Sequence, residues 1–372
     1  MLYKPYKDIK LSHLGMGCMR LPTQGGERGA PIDREKAQEI IDYAMANGIN
    51  YFDTSFVYHG GESEKFLGDA LAGYPRESYN LATKFFILAS EDYKAVFEEQ
   101  LERLKTDYID FYLIHGIFDH TYQQYIDGGA VEYFAEQQAK GRIRHLGFSA
   151  HVNTENFTKF VNHRDWDFTM IPLNSYDWIY GSVKEQYEIL AEKGIPVIAM
   201  NPVRGGRLAA LSPDSEKMLK AARPDWSVAE WVMRWGKNRS ATAVVLSGMT
   251  TIEQIKENVP IFNHGEGLSE DEELLLYKAF EAFRKDMHVP CTDCDYCIED
   301  GTCHAGIIIP RFLDAYNTYK VDGPWSLRSI SEIESEGRHT DCTACGKCAE
   351  RCPQGIDIMG IMKELVELTK ES

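Results

Sequence analysis

Four polar residues stand where they could share one reaction. Asp53 ends the run Tyr-Phe-Asp, Lys84 ends Leu-Ala-Thr-Lys, and His115 ends Phe-Tyr-Leu-Ile-His, while Tyr58 follows Asp53 by five residues. A free tyrosine keeps its proton to about pH 10. A neighbouring lysine cation stabilises the phenolate and lowers that value, which would make Tyr58 beside Lys84 a usable proton donor. A carboxylate at Asp53 would hold Lys84 charged and in place, and His115 would orient a carbonyl oxygen. Together the four would protonate an alkoxide as it forms from a carbonyl that receives hydride. The plainer reading is a buried Asp53–Lys84 ion pair that braces the fold, with Tyr58 and His115 as incidental loop residues. Four suitable types at four suitable places favour the reaction.

The cysteines carry a second chemistry. Of nine, only Cys18 lies in the front of the chain; the rest form Cys291-x2-Cys294-x2-Cys297-x5-Cys303 and Cys342-x2-Cys345-x2-Cys348-x3-Cys352-Pro353. The N-terminal stretch MLYKPYKDIK shows no apolar run after its charges, so no secretory signal is expected. Clustered C-x2-C spacings then favour metal over disulfides. The second run resembles the bacterial ferredoxin pattern, in which three cysteines hold one [4Fe–4S] cluster and the fourth reaches to the other. The first run departs from it: its last spacing is longer by two residues, and His304 stands where proline would follow. The resemblance implies two [4Fe–4S] clusters, one on Cys291, Cys294, Cys297 and Cys352, the other on Cys342, Cys345, Cys348 and Cys303. An idle Cys303, or His304 as ligand instead, is the alternative for that exchange. Zinc in C-x2-C knuckles is the alternative for the whole region, and the Cys-Pro ending argues against it. Cys18 reads as a small buried residue.

Positioning the four polar residues requires a frame. Eight apolar runs read as buried parallel strands: His13–Cys18, Asn50–Thr54, Asn80–Thr83, Ile109–Ile114, Arg144–Phe148, Phe168–Pro172, Pro196–Met200 and Ala243–Leu246. Helical patterns lie between them, one beginning on the capping residue Asp33, others spanning Ser90 to Leu104 and Ser182 to Lys193. Eight strands alternating with helices predict an α/β (β/α)8 TIM barrel, the alternative being an open doubly wound sheet. In a barrel the C-terminal strand ends face one pocket, which is where Asp53, Lys84 and His115 fall. The stretch FDHTYQQYIDGG reads as an irregular insert overhanging that face. A helix SEDEELLLYKAFEAFRKD follows Leu268, and another is expected at Pro310–Thr318 between the cysteine runs.

Asp53-Thr-Ser-x-x-Tyr58, Ala-Thr-Lys84 and Tyr-Leu-Ile-His115 resemble the catalytic tetrad of the aldo/keto reductases. LGMGCMRLP, GRIRHLGFSAH, MNPVRGGRL and VLSGMTTIEQIKEN agree with that family in order and spacing. The resemblance covers about residues 1–285, and residues 286–372 would be a small helical ferredoxin-like domain; aldo/keto reductases with such a module form a recognisable group. It implies a (β/α)8 barrel and hydride transfer from NADP or NAD, with Tyr58 as acid/base, Lys84 and Asp53 as its tuners and His115 as carbonyl orienter. It further implies a cofactor resting near Gly17, Ser149, Asn174, Met200, Pro202, Ser247, Gly248, Gln254 and Asn258. Three positions depart from the family: Ala150 replaces an Asn, Met170 a Gln, and Met200 an aromatic. The last phosphate loop offers Gly248 and Gln254 where NADP enzymes usually place Lys and Arg. Thr251-x-x-Gln254 has capping-box spacing, so a helix N-terminus is expected there.

The chain's net charge of −17 argues against nucleic acid as partner and discourages an anionic membrane surface. No run of about eighteen apolar residues is present, so a cytoplasmic protein is expected. The expected function is an iron–sulfur oxidoreductase acting on a small carbonyl or alcohol, its clusters passing single electrons, with a redox protein as partner. A plain nicotinamide reductase with structural clusters is the first alternative. A non-catalytic iron–sulfur electron carrier is the second.

Overall fold

A computed structural model describes residues 1–26, 29–119, 121–286, 289–322, 327, 330, 333 and 335–370; His120, in the insert, lies outside them. Contacts divide the chain into two units, 1–203 with 229–273, and 204–228 with 274–372.

The first unit contains a two-stranded hairpin, β1 (Tyr3–Tyr6) and β2 (Ile9–Ser12). A closed parallel barrel follows: β3 (Leu14–Gly17), β4 (Tyr51–Asp53), β5 (Asn80–Phe85), β6 (Ile109–Phe118), β7 (Ile143–His151), β8 (Phe168–Pro172), β9 (Val197–Met200) and β10 (Thr242–Ser247), with β10 pairing β3. Each expected strand is present. The strands read as continuous apolar runs because both faces are buried, one by the interior and one by the helices. Inside stand Tyr51, Phe111, Leu113, Phe168, Met170 and Ile198. Gly15 makes room for them: a Cβ there would come 2.6 Å from Val244 Cγ1 and 3.1 Å from Tyr51 Cδ1.

The hairpin was not expected. Its Tyr6 and Leu11 join the barrel's interior cluster, and Tyr6 meets Phe111 at 5.2 Å and His145 at 4.9 Å, near the strands' N-terminal ends. It therefore stoppers the end opposite Asp53 and Lys84.

Caps fix the helix ends. Asp33 accepts from Lys36 N–H at the start of helix Arg34–Ala46. The helix expected from Ser90 begins at Tyr93, because the Asp92 side chain accepts from Ala95 N–H at 3.0 Å and sets the first turn. The insert is more ordered than expected: it contains a helix, Tyr122–Asp127, anchored by the buried Tyr125. Cys18 lies just past β3 in a short turn, Cys18–Arg20, and is buried.

The second unit is helical around its own core. Helices Ile309–Asp322 and Ile358–Lys370 pack together, with Phe312, Leu313, Ile358 and Leu365 buried alongside Cys291, Cys297 and Cys348. The helix expected at Pro310–Thr318 is thus longer by about a turn. Segment 204–228 belongs to this unit; within it Arg207 pairs with Asp314 and Arg204 donates to Gln354. Among the described residues no helix is long and apolar enough to cross a membrane.

Candidate active site and cysteine cluster

Lys84 Nζ donates to Asp53 Oδ1 at 2.5 Å and to the Thr54 carbonyl at 2.6 Å, both side chains being buried. The same ammonium lies 4.8 Å from the centre of the Tyr58 ring. Burial works against its charge, but Asp53 and Tyr58 outweigh it and push the lysine pKa up, so the cation is secure. Tyr58 moves the other way from expectation. Lys84 does pull its pKa down, yet desolvation of the phenol is the larger cause and the net shift is upward. Part of the residue still reaches solvent. The tyrosine is therefore a firmly protonated donor at neutral pH rather than one near its midpoint.

His115 faces Tyr58 edge-on, ring centres 5.9 Å apart at 83°. Burial, then the Lys84 charge and His151, hold its pKa well below the usual histidine range, so the imidazole is neutral. Nδ1 lies 3.1 Å from Ser55 Oγ. The backbone beneath it is held by Tyr125, whose hydroxyl donates to the His115 carbonyl at 2.6 Å and accepts from Ile87 N–H at 2.9 Å.

β6 slips register against β7 between Ile114 and Ile117, a bulge at the residues that present His115. Gly116 takes a φ of +60° there, and its N–H donates to Ser149 Oγ at 2.9 Å. Ser149, expected from the resemblance to touch the cofactor, thus also pins the strand carrying His115; its own proton remains to donate.

The other expected cofactor residues are placed unevenly. Gly17 ends β3, and a Cβ there would lie 3.4 Å from the Ser247 carbonyl and 3.5 Å from Gly248 N, so these strand ends adjoin. Ser247 accepts from Asn258 Nδ2 at 3.2 Å. Asn174 is committed locally: its Oδ1 accepts from Asp177 N–H at 2.8 Å and its Nδ2 donates to Asp177 Oδ2 at 2.7 Å, capping helix Ser175–Tyr180. Met200 closes β9 and Pro202 lies two residues beyond it, Met170 being buried in the interior. The capping box at Thr251 and Gln254 forms as its spacing predicts. Gln254 Oε1 accepts from Thr250 N–H at 2.7 Å and Thr251 N–H at 3.2 Å, while the backbone N–H of Glu253 and the Thr251 hydroxyl hold the Glu253 carboxyl below the usual range. That helix start already carries a negative charge. A cation not singled out from the sequence, Arg20, runs beside Gly248, with its Cβ 3.7 Å from where a Cβ on that glycine would be.

Cys291, Cys294, Cys297 and Cys352 line one cavity with Pro310, Leu313, Ile356 and Ile358. Burial pushes the Cys294 thiol up to about 11. Cys303 and Cys342 bear electrostatically on Cys348, which burial pushes up to about 11. Cys345 is exposed, its Sγ 3.8 Å from His304 Nδ1. Among the described residues no three His, Cys, Asp or Glu side chains close on a single ion. Four thiols standing around one cavity suit a multi-atom cluster, which needs donors spread apart rather than converging on a point. The donor set fits iron–sulfur ligation.

Comparison with known families places residues 13–273 in the Aldo/keto reductase family and residues 290–356 in a 4Fe-4S dicluster domain. The chain is 30% identical over 289 residues to an uncharacterized oxidoreductase of Bacillus subtilis, a match spanning 69% of this chain and 89% of the relative. It is 25% identical over 327 residues to the NADH-specific methylglyoxal reductase of Escherichia coli, spanning 75% of this chain and 97% of that one. Among solved structures, the holo form of an aldo-keto reductase from Bacillus halodurans superposes with a TM-score of 0.63 at 28% identity, covering 75% of this chain and 96% of its own. This chain belongs to the aldo/keto reductase family, as an oxidoreductase whose barrel is followed by a C-terminal 4Fe-4S dicluster domain.

Proposed function

We propose that the barrel interconverts a small carbonyl compound and its alcohol with a nicotinamide dinucleotide, and that two [4Fe–4S] clusters give the reaction a second electron route. The observation that carries the reading is the single cation of Lys84, held by Asp53 and lying against Tyr58, with His115 at the ring's edge. The dinucleotide, when bound, supplies or accepts the hydride at the carbonyl carbon. Tyr58 then gives its proton to the oxygen as negative charge develops there. Lys84 stabilises the phenolate left behind, Asp53 keeps that lysine charged, and His115 holds the oxygen by a hydrogen bond. In alcohol oxidation each transfer runs backwards.

For the cofactor, the charge pattern favours NAD. Arg20 offers a cation for the pyrophosphate, whereas Glu253 occupies the helix start where a further 2′-phosphate would be repelled. The NADH specificity named for the Escherichia coli relative agrees.

For the clusters, one is assigned to Cys291, Cys294, Cys297 and Cys352, the other to Cys342, Cys345, Cys348 and Cys303. Each passes one electron at a time, so two clusters match the two electrons of one hydride. A redox protein would take or supply them at the exposed Cys345 end. The reducing cytoplasm keeps eight such thiols available to iron. A second reading, a plain reductase whose clusters only brace the fold, is favoured by Cys291, Cys297 and Cys348 lying within the second unit's core.

The testing experiment is Tyr58→Phe. Carbonyl reduction should fall by about 10²- to 10⁴-fold with the cluster absorbance intact; an unchanged rate would remove Tyr58 from the chemistry.

A further inference from the structure

Three consecutive polar residues at the end of β4 and just past it are buried, and each has a distinct partner. Asp53 takes Lys84, Thr54 Oγ1 meets Ser63 Oγ at 2.9 Å, and Ser55 Oγ meets His115 Nδ1 at 3.1 Å. Ser55 is fully buried, and among the described residues its hydroxyl has no other hydrogen bond. We infer that Ser55 donates its proton to Nδ1 of His115 and thereby fixes the imidazole as the tautomer protonated on Nε2, the form able to donate to a carbonyl oxygen.

The argument is one of satisfaction. Two arrangements fit the 3.1 Å contact. In the first, the serine O–H donates to an unprotonated Nδ1, and both groups are satisfied. In the second, Nδ1–H donates to the serine oxygen, and the serine's own proton is left buried without an acceptor. Interiors rarely tolerate such a group. The penalty for an unsatisfied buried donor favours the first arrangement by roughly tenfold or more. A neutral ring then carries its proton on Nε2, and no described protein atom hydrogen-bonds that nitrogen. Tyr58 lies beside that ring, centres 5.9 Å apart, so its hydroxyl and the imidazole stand within reach of one small substrate. A cationic ring would also need the orphaning arrangement, which agrees with burial and Lys84 keeping His115 neutral. Ser55 is thus a positioning residue, acting through His115 rather than on the substrate. The inference rests on His115 being the carbonyl orienter.

The test is nitrogen-15 NMR of histidine-labelled, ligand-free holoprotein with its clusters oxidised. The His115 signals are identified by their loss in His115→Gln. Wild type should show the Nε2–H tautomer, Ser55→Ala a mixture, and Ser55→Thr the wild-type form again. In parallel, Ser55→Ala should lower kcat for carbonyl reduction by roughly two- to tenfold, the worth of one hydrogen bond, with KM little changed. An Nδ1–H tautomer in wild type, or an unaltered tautomer in Ser55→Ala, would overturn the assignment, and the wild-type spectrum decides even if the variant fails to fold. A tautomer shift in a protein that reduces no carbonyl would uphold the Ser55 assignment while rejecting the proposed reaction.

Discussion

Lys84 neutralises a carboxylate on one side and polarises a phenol on the other. Replacing it with methionine removes both effects. Asp53 would be left as a buried, uncompensated charge, its Oδ2 already without a hydrogen-bond partner among the described residues. Breaking a buried pair in this way costs about 3–5 kcal/mol, so Lys84→Met should unfold at clearly lower denaturant as well as lose turnover. The upward shift of Tyr58 gives a pH prediction. A donor whose folded pKa lies above about 10 stays protonated, so the carbonyl-reduction rate should not decline between about pH 7 and 9. A fall in that window, seen in the pH profile of kcat, would mean that Tyr58 ionises earlier than its burial implies. Asp53, Lys84 and His115 were legible in the sequence because each closes an apolar run, and Tyr58 because it follows Asp53 by five residues; the strands carrying Lys84 and His115 run on past them, to Phe85 and Phe118. Ser55, Tyr125 and Arg20 were not. Their roles arise from contacts across strands and loops, and no spacing along the chain encodes them.

At the scale of elements, β6 sets the site. Its bulge turns the chain at Gly116, where the left-handed φ disfavours any side chain. A Cβ at Gly116 would also approach Phe86 Cε2 to 3.0 Å and Phe118 Cε2 to 3.1 Å. Gly116→Ala should therefore displace His115 and lower kcat by at least about tenfold, with a stability loss of about 1–2 kcal/mol read from urea unfolding. The eight strands were readable because strands buried on both faces are apolar throughout. The bulge was not, since it exists only as a mismatch between two strands. The hairpin β1–β2 was hidden for a different reason: its lysines make MLYKPYKDIK look like a polar tail, although Tyr6 and Leu11 reach the barrel interior. The insert hid its helix similarly, because one buried residue, Tyr125, anchors it rather than a periodic face.

For the molecule as a whole, acid and iron are the two sensitivities. Burial depresses His13 and His151 to about 4 and His115 well below its usual range. Unfolding raises each to about 6.5, so below that pH the unfolded chain binds more protons than the native one. Native stability should thus fall as pH drops from about 6.5 towards 4, by up to about 1.4 kcal/mol per pH unit for each histidine, measured as a falling urea midpoint. For iron, the assigned exchange makes Cys352 a ligand of the cluster held by the first cysteine run. Cys352→Ser should lower the iron content from about eight atoms per chain to about four, as should Cys291→Ser, and both should leave the same remaining electron paramagnetic resonance signal after reduction. If Cys352→Ser instead matches Cys345→Ser, each run holds its own cluster. The two cysteine runs were plain in the sequence because ligand spacing is local. His304, named from the sequence as an alternative to Cys303, does stand beside a cysteine, but that this cysteine is Cys345 emerges only from the fold.

The most direct test of a barrel whose chemistry is coupled to iron is anaerobic mixing of the holoprotein with NADH while the broad visible absorbance of the clusters is followed. Coupling predicts bleaching by NADH, weaker bleaching by NADPH, and recovery on adding a carbonyl substrate. Absorbance that persists with both nucleotides and bleaches only with dithionite would contradict it and leave the clusters as braces of the C-terminal unit.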